Sequence, residues 1–127
     1  MLSLGDLQLA ILRELWERGE ATVASVHEAL RPERGLAPTT IATMLSKMEK
    51  RGLVTHRVDG RQFVYRADVR QDDVERSMVS DLVERLFEGD SAALVNHLLD
   101  EGRIEADELA RLRRRIADAQ RGEGGET

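Results

Sequence analysis

The chain has 127 residues, no cysteine, 41% hydrophobic and 3% aromatic content, and a formal net charge of -5. The missing cysteines exclude disulfides, thiolate metal sites and cysteine nucleophiles, and no apolar run approaches the roughly 18 residues that a membrane span needs. The length suits one small domain with an appendage, and a modest aliphatic core gains from burial against a second subunit.

The segment Met1-Leu2-Ser3-Leu4-Gly5-Asp6 has no basic stretch ahead of an apolar one, so no signal peptide and a cytoplasmic location are expected. Leu4, Leu7, Ile11 and Leu15, widened by Leu12 and Trp16, recur at three- and four-residue spacing and predict a helix over about 6–18, ended by Gly19. Thr22 caps a second helix with Val23, Val26 and Leu30 on its inner face, and Arg31-Pro32 is expected to end it. Glu33 to Ala37 reads as a loop, and Pro38 opens a third helix at a position where its missing donor costs nothing. Ile41, Leu45 and Met48 form that helix's inner stripe, with Met44 beside it and Gly52 as the stop.

Two extended runs follow, Leu53 to Val58 and Gln62 to Arg66, joined through the turn signal Asp59-Gly60. From Asp72 onward the spacing is helical. Val74, Met78, Leu82 and Leu86 step by four along a helix ending near Gly89. Asp90 caps the next, which is expected to bury Leu94, Val95, Leu98 and Leu99, and Gly102 breaks it. Ile104, Leu109, Leu112 and Ile116 mark a last helix, and Gly122 to Thr127 reads as a flexible tail. The expected architecture is mainly α with a small β-hairpin: a winged helix-turn-helix domain over 1–68, a C-terminal helical dimerisation region over 69–121, and the tail.

The acidic average hides an asymmetry. Residues 1–68 carry ten basic and nine acidic side chains, a net of +1, and residues 69–127 carry nine and fifteen, a net of -6. Within 39–66, Lys47, Lys50, Arg51, Arg57, Arg61 and Arg66 face only Glu49 and Asp59, a local +4 of the kind a phosphate-facing surface needs. The outer face of the third helix holds Thr39, Thr40, Thr43, Ser46, Lys47 and Lys50, with Glu49 at its margin. A merely solvated face favours Glu and Lys for their helix propensity, whereas three threonines in the first turns are poor helix formers. Hydroxyls there can meet phosphates or base edges, and a threonine methyl can contact thymine. The two lysines stand one and two turns further on, placed for backbone phosphates, with Arg61 at the hairpin tip, Arg57 on its first strand and Arg66 as a weaker candidate. His56 is expected to add phosphate affinity. The tail helices expose apolar stripes with no sheet to cover them, so Val74, Met78, Leu82, Leu86, Leu94, Leu98, Leu109, Leu112 and Ile116 are expected at a homodimer face. An intramolecular helical cap on the first domain is the alternative.

Several stretches carry a resemblance. Leu4-Gly5-Asp6-Leu7, Ile11 to Trp16, Thr22-Val23 and Val26 to Leu30 come first. The most specific is Pro38-Thr39-Thr40-Ile41-Ala42-Thr43-Met44-Leu45, continuing through Lys50-Arg51-Gly52-Leu53-Val54, with the Phe63-Val64-Tyr65 strand and Phe87-Glu88-Gly89-Asp90-Ser91 behind it. Over nearly its whole length the chain resembles the penicillinase-repressor family, the BlaI/MecI/CopY transcriptional regulators. The resemblance implies a homodimer that represses transcription from a pseudo-palindromic operator in double-stranded DNA. The family's contacting positions then fall on Thr39, Thr40, Thr43, Lys47 and the Arg57 to Arg61 hairpin.

The family's antibiotic-responsive branch is cleaved at an Asn-Phe bond after a membrane sensor-protease is triggered. This chain has no Asn-Phe dipeptide; its nearest counterpart is Asn96-His97, and alignment through Gly89-Asp90 places the bond at His97-Leu98. A sensor-protease or another inducing factor stays a candidate partner, and induction through C-terminal cysteine pairs is excluded. No cofactor or metal is expected, because His97, Asp100 and Glu101 lack supporting ligands nearby. Arg111 and Arg113 to Arg115 read as a charge-paired surface with Asp107 and Glu108. No nucleophile-base set or phosphate loop is visible, which argues against an enzyme. The rival reading is a winged-helix protein-interaction module without DNA binding.

Overall fold

In the computed structural model, residues 4–125 are described; Met1 to Ser3, read for a targeting signal, lie outside them, as do Glu126 and Thr127. Two compact units divide the chain, the first running to Asp81 and the second starting at Leu82. The division falls later than the boundary expected after residue 68.

In the first unit, α1 spans Asp6–Arg18, β1 Ala21–Thr22, α2 Val23–Arg34, α3 Pro38–Lys50, β2 Val54–Asp59 and β3 Gln62–Ala67. The helical stripes read from sequence are the ones that close the core. Ile11, Leu12 and Leu15 of α1 meet Val26 and Leu30 of α2 and Ile41, Leu45 and Met48 of α3, with Leu53, Val54 and Tyr65 below them. Trp16 extends the packing, and its indole Nε1–H donates to the Val69 carbonyl at 3.0 Å, tying α1 to the segment after the sheet. Thr22 caps α2 as expected, its Oγ1 accepting from Ser25 N–H at 3.1 Å.

Three local expectations need correction. Helix α2 does not stop at Arg31-Pro32 but runs through Pro32 to Arg34, so the loop shrinks to Gly35–Ala37. A proline in the last turn forfeits one N–H bond, and Gly35, left-handed at φ 59°, closes the helix with its N–H on Arg31 O at 3.0 Å. The hairpin is part of a three-stranded antiparallel sheet in the order β1-β3-β2, because Ala21 and Thr22 pair with Tyr65 and Val64. Its turn is Gly60-Arg61 rather than Asp59-Gly60, since Asp59 pairs with Gln62. Gly60 has φ 64° and Arg61 is not among the positive-φ residues, the pattern of a type II′ turn led by glycine.

Helix α4 spans Gln71–Leu86 and carries the chain from the first unit into the second, which continues with α5 (Ser91–Asp100) and α6 (Ala106–Gly125). Asp90 caps α5, its Oδ1 accepting from Ala93 N–H at 3.1 Å. The tail read over 122–127 lies in α6 as far as Gly125. The burial expected for Leu94, Val95, Leu98 and Leu99 is not reached in a single chain: Val95 stays 48% and Leu99 39% exposed. No described side chain from Leu82 to Gly122 is fully buried. Two helices and the last turn of α4, without a sheet, leave too few inward positions to enclose a core. Among the described residues, no helix is long and apolar enough to cross a membrane.

Candidate nucleic-acid interface

Helix α3 has two chemically distinct sides. Ile41, Leu45 and Met48 are buried to within 1%, and because they recur every three or four residues, the opposite side of the cylinder is left to solvent. Thr39, Thr40, Thr43, Ser46, Lys47 and Lys50 are all exposed on it. Its N-cap, Ala37, supplies no side-chain hydrogen bond, Pro38 has no N–H to offer, and Thr40 N–H turns back onto Ala37 O at 3.1 Å.

The β2–β3 hairpin stands beside this helix. Arg61 occupies the turn and is exposed. Val58 and Phe63, directly opposite each other near the tip, are 62% and 46% exposed. Between the start of α2, the flank of α3 and the hairpin runs an open groove of about 760 Å³, with Val23, Pro38, Ala42, Ser46, Arg61 and Phe63 among its walls. Every wall belongs to the first unit.

Two expected phosphate ligands are engaged elsewhere. Arg57 forms a bidentate pair with Glu20, Nε to Oε2 at 2.9 Å and the terminal nitrogen to Oε1 at 3.2 Å. Hydrogen bonding from Arg57 holds the Glu20 carboxyl below its ordinary range, and the Arg66 charge adds to the effect. His56, expected to add phosphate affinity, instead points its Nδ1 at the Glu49 carboxylate, 2.7 and 2.9 Å from its two oxygens. The imidazole stacks on Phe63 with ring centres 4.1 Å apart and an interplanar angle of 16°.

Sequence reasoning missed both Glu20 and the Glu49–His56 contact. Glu20 sits 37 residues from Arg57, and only the pairing of β1 against β3 brings it alongside. Lys47, Lys50 and Arg61, by contrast, have no ion-pair partner among the described residues. On α6, Arg111 pairs with Asp107 at 3.9 Å, in keeping with a charge-paired helix face. His97 lies 3.4 Å from Glu101 on α5.

A family model described as "Penicillinase repressor" matches residues 4–118. The chain is 38% identical over 123 residues to a "Transcriptional regulator BlaI" of Mycobacterium tuberculosis, covering 95% of this chain and 88% of that one. It is 24% identical over 109 residues to the penicillinase repressor of Bacillus licheniformis, covering 86% and 85%. Among solved structures, the DNA-binding domain of the repressor BlaI superposes with a TM-score of 0.51 at 28% identity, over 56% of this chain and 87% of that one.

Proposed function

The chain belongs to the penicillinase repressor family, and from that premise we propose that it is a DNA-binding transcriptional repressor that acts as a homodimer on a pseudo-palindromic operator. The observation that carries the reading is the outer face of α3, where six exposed side chains are all hydroxyls or ammoniums. In a major groove this face offers Thr39, Thr40 and Thr43 to base edges and phosphates at its leading end. Ser46, Lys47 and Lys50 follow along the backbone, and Arg61 meets the flanking strand from the hairpin. Base contacts then select the sequence, while lysine and arginine contacts supply affinity that falls steeply with salt.

The homodimer rests on the second unit. Leu82, Leu86, Val95, Leu99, Leu112 and Ile116 are each about two-fifths to two-thirds exposed in one chain. Covering them with the same helices of a second copy removes that apolar area from water. Val74, expected on this face, is 1% exposed within a single chain and has no surface left to offer. A two-fold arrangement sets the paired α3 helices on half-sites about one turn, roughly 34 Å, apart.

The test is selection of bound duplexes from a random pool, with the mass in solution measured by light scattering. Enrichment of a two-fold symmetric site by a dimer supports the reading. A folded dimer that enriches no sequence at low salt overturns it in favour of a protein-interaction module. Within an enriched site, Thr43→Ala should erode discrimination against random DNA, whereas Arg61→Ala should weaken both alike.

A further inference from the structure

Glu49 is the one carboxylate at the edge of the α3 face, and by charge alone it should repel the phosphates that Lys47 and Lys50 attract. Its side chain, however, is turned to the hairpin. An ionised carboxylate only accepts hydrogen bonds, so His56 Nδ1 carries the hydrogen and donates it to the two oxygens at 2.7 and 2.9 Å. Both side chains are about one-third exposed or less. The other contacts of the imidazole are aromatic: Phe63 stacked at 4.1 Å and Tyr65 tilted at 5.4 Å. Phe63 lies two residues from Arg61 in the turn.

The hairpin needs such a tie. Its root is anchored: Val54 is 1% and Tyr65 4% exposed, β1 pairs with Val64, and Arg57 is held by Glu20, but beyond that rung the apolar pair Val58 and Phe63 is open to solvent. A two-stranded ribbon without a packed face twists easily and has little intrinsic stability. The Glu49–His56–Phe63 chain sits where the anchored part gives way to the free part, and it starts on the helix that carries the lysines.

We infer that Glu49 is a positioning residue for DNA binding: through His56 and the stacked Phe63 it holds the hairpin at the angle to α3 at which Arg61 and the α3 lysines reach one duplex together. The inference rests on the DNA-binding reading above. It also reverses a sign. Deleting an acid beside a phosphate-binding face raises affinity if charge alone matters, and lowers it if the acid sets geometry.

The experiment uses the full chain and the duplex recovered by selection, with binding followed by fluorescence anisotropy and folding by thermal melts. Glu49→Ala should lose about tenfold in affinity, the scale of one charge-assisted hydrogen bond. Glu49→Gln keeps an acceptor oxygen for His56 Nδ1–H and should recover most of that loss. Arg61→Ala should cost less in the Glu49→Ala background than alone, although Arg61 and Glu49 share no hydrogen bond or ion pair among the described residues; a merely structural role leaves the two losses additive. His56→Phe preserves ring stacking but cannot donate, and it should reproduce the loss should Glu49→Ala fold poorly. Binding by Glu49→Ala as tight as wild type, or tighter, overturns the inference while leaving the DNA-binding reading intact. A wild-type chain that binds no duplex overturns both.

Discussion

Arg57 provides a quantitative handle on the proposed DNA interface, because its guanidinium is already occupied. Its guanidinium fork is filled by Glu20 at 2.9 and 3.2 Å, the geometry a phosphate would otherwise take. Of the four leading cations expected to meet phosphate, with the weaker candidate Arg66 set aside, Lys47, Lys50 and Arg61 have no ion-pair partner among the described residues and Arg57 has one. Each phosphate neutralised steepens the dependence of log K on log salt by about 0.9, so the wild-type slope should be about -2.7 per bound protomer. Glu20→Gln removes the competing carboxylate and should steepen the slope to about -3.6. Over a fourfold rise in salt these slopes correspond to affinity losses of about 40-fold and about 150-fold. At the lowest salt the variant should bind more tightly than wild type.

Anisotropy titrations at several salt concentrations measure both slopes. Arg57→Ala should leave the wild-type slope unchanged and abolish the increase in the Glu20→Gln background. Equal slopes for wild type and Glu20→Gln, or a shallower one for the variant, would refute the view that Glu20 withholds Arg57 from DNA. The sign with pH is consistent: hydrogen bonding from Arg57 depresses the Glu20 carboxyl from its ordinary 4.5. The pair is therefore intact above that value, and its contribution to stability is lost only as pH falls through the depressed one.

Three further outcomes are expected. Tyr65 is the chain's single tyrosine, and burial, seconded by the Glu49 charge, raises its hydroxyl above 10.0. Its phenolate absorbance should appear late, with the stability it contributes complete below the ordinary value and lost as pH rises through the raised one, and Glu49→Ala should bring the midpoint part of the way back. Leu45 has no exposed surface, so Leu45→Ala should cost about 2–5 kcal/mol in denaturant unfolding, and a cost near zero would contradict the core assignment. Leu112→Asp and Ile116→Asp together should give a monomer by light scattering with the first unit still folded, because both residues lie on the exposed stripe of α6; a persistent dimer removes α6 from the proposed interface.

Local periodicity made most elements legible. The 41, 45, 48 spacing identified the inner stripe of α3 and so its outer face, while Thr22 and Asp90 marked caps that the structure retains. These features depend on residues three or four apart along one helix, which any reader of the chain can pair. Strand β1 was invisible because two residues carry no alternation; it exists only because β3 offers an edge. Pro32 misled for a related reason, since a proline's cost depends on whether its turn is the last one.

Chemistry at the proposed interface divides along the same line. Which residue types populate the outer face of α3 was settled by the order of amino acids, because helical geometry sorts neighbours onto faces without help from the rest of the chain. Which of the basic groups are free was decided by tertiary packing alone. Arg57 and His56 look like Lys47 and Arg61 on paper, yet Glu20 takes one across 37 positions and Glu49 takes the other across a helix-to-strand turn. Electrostatic partners are chosen by distance in space rather than by separation along the chain, because pair energies fall with distance. The second unit shows the reverse case: its helices follow from local pattern, but they enclose no core within one chain, because burial requires a surface that those helices do not supply themselves.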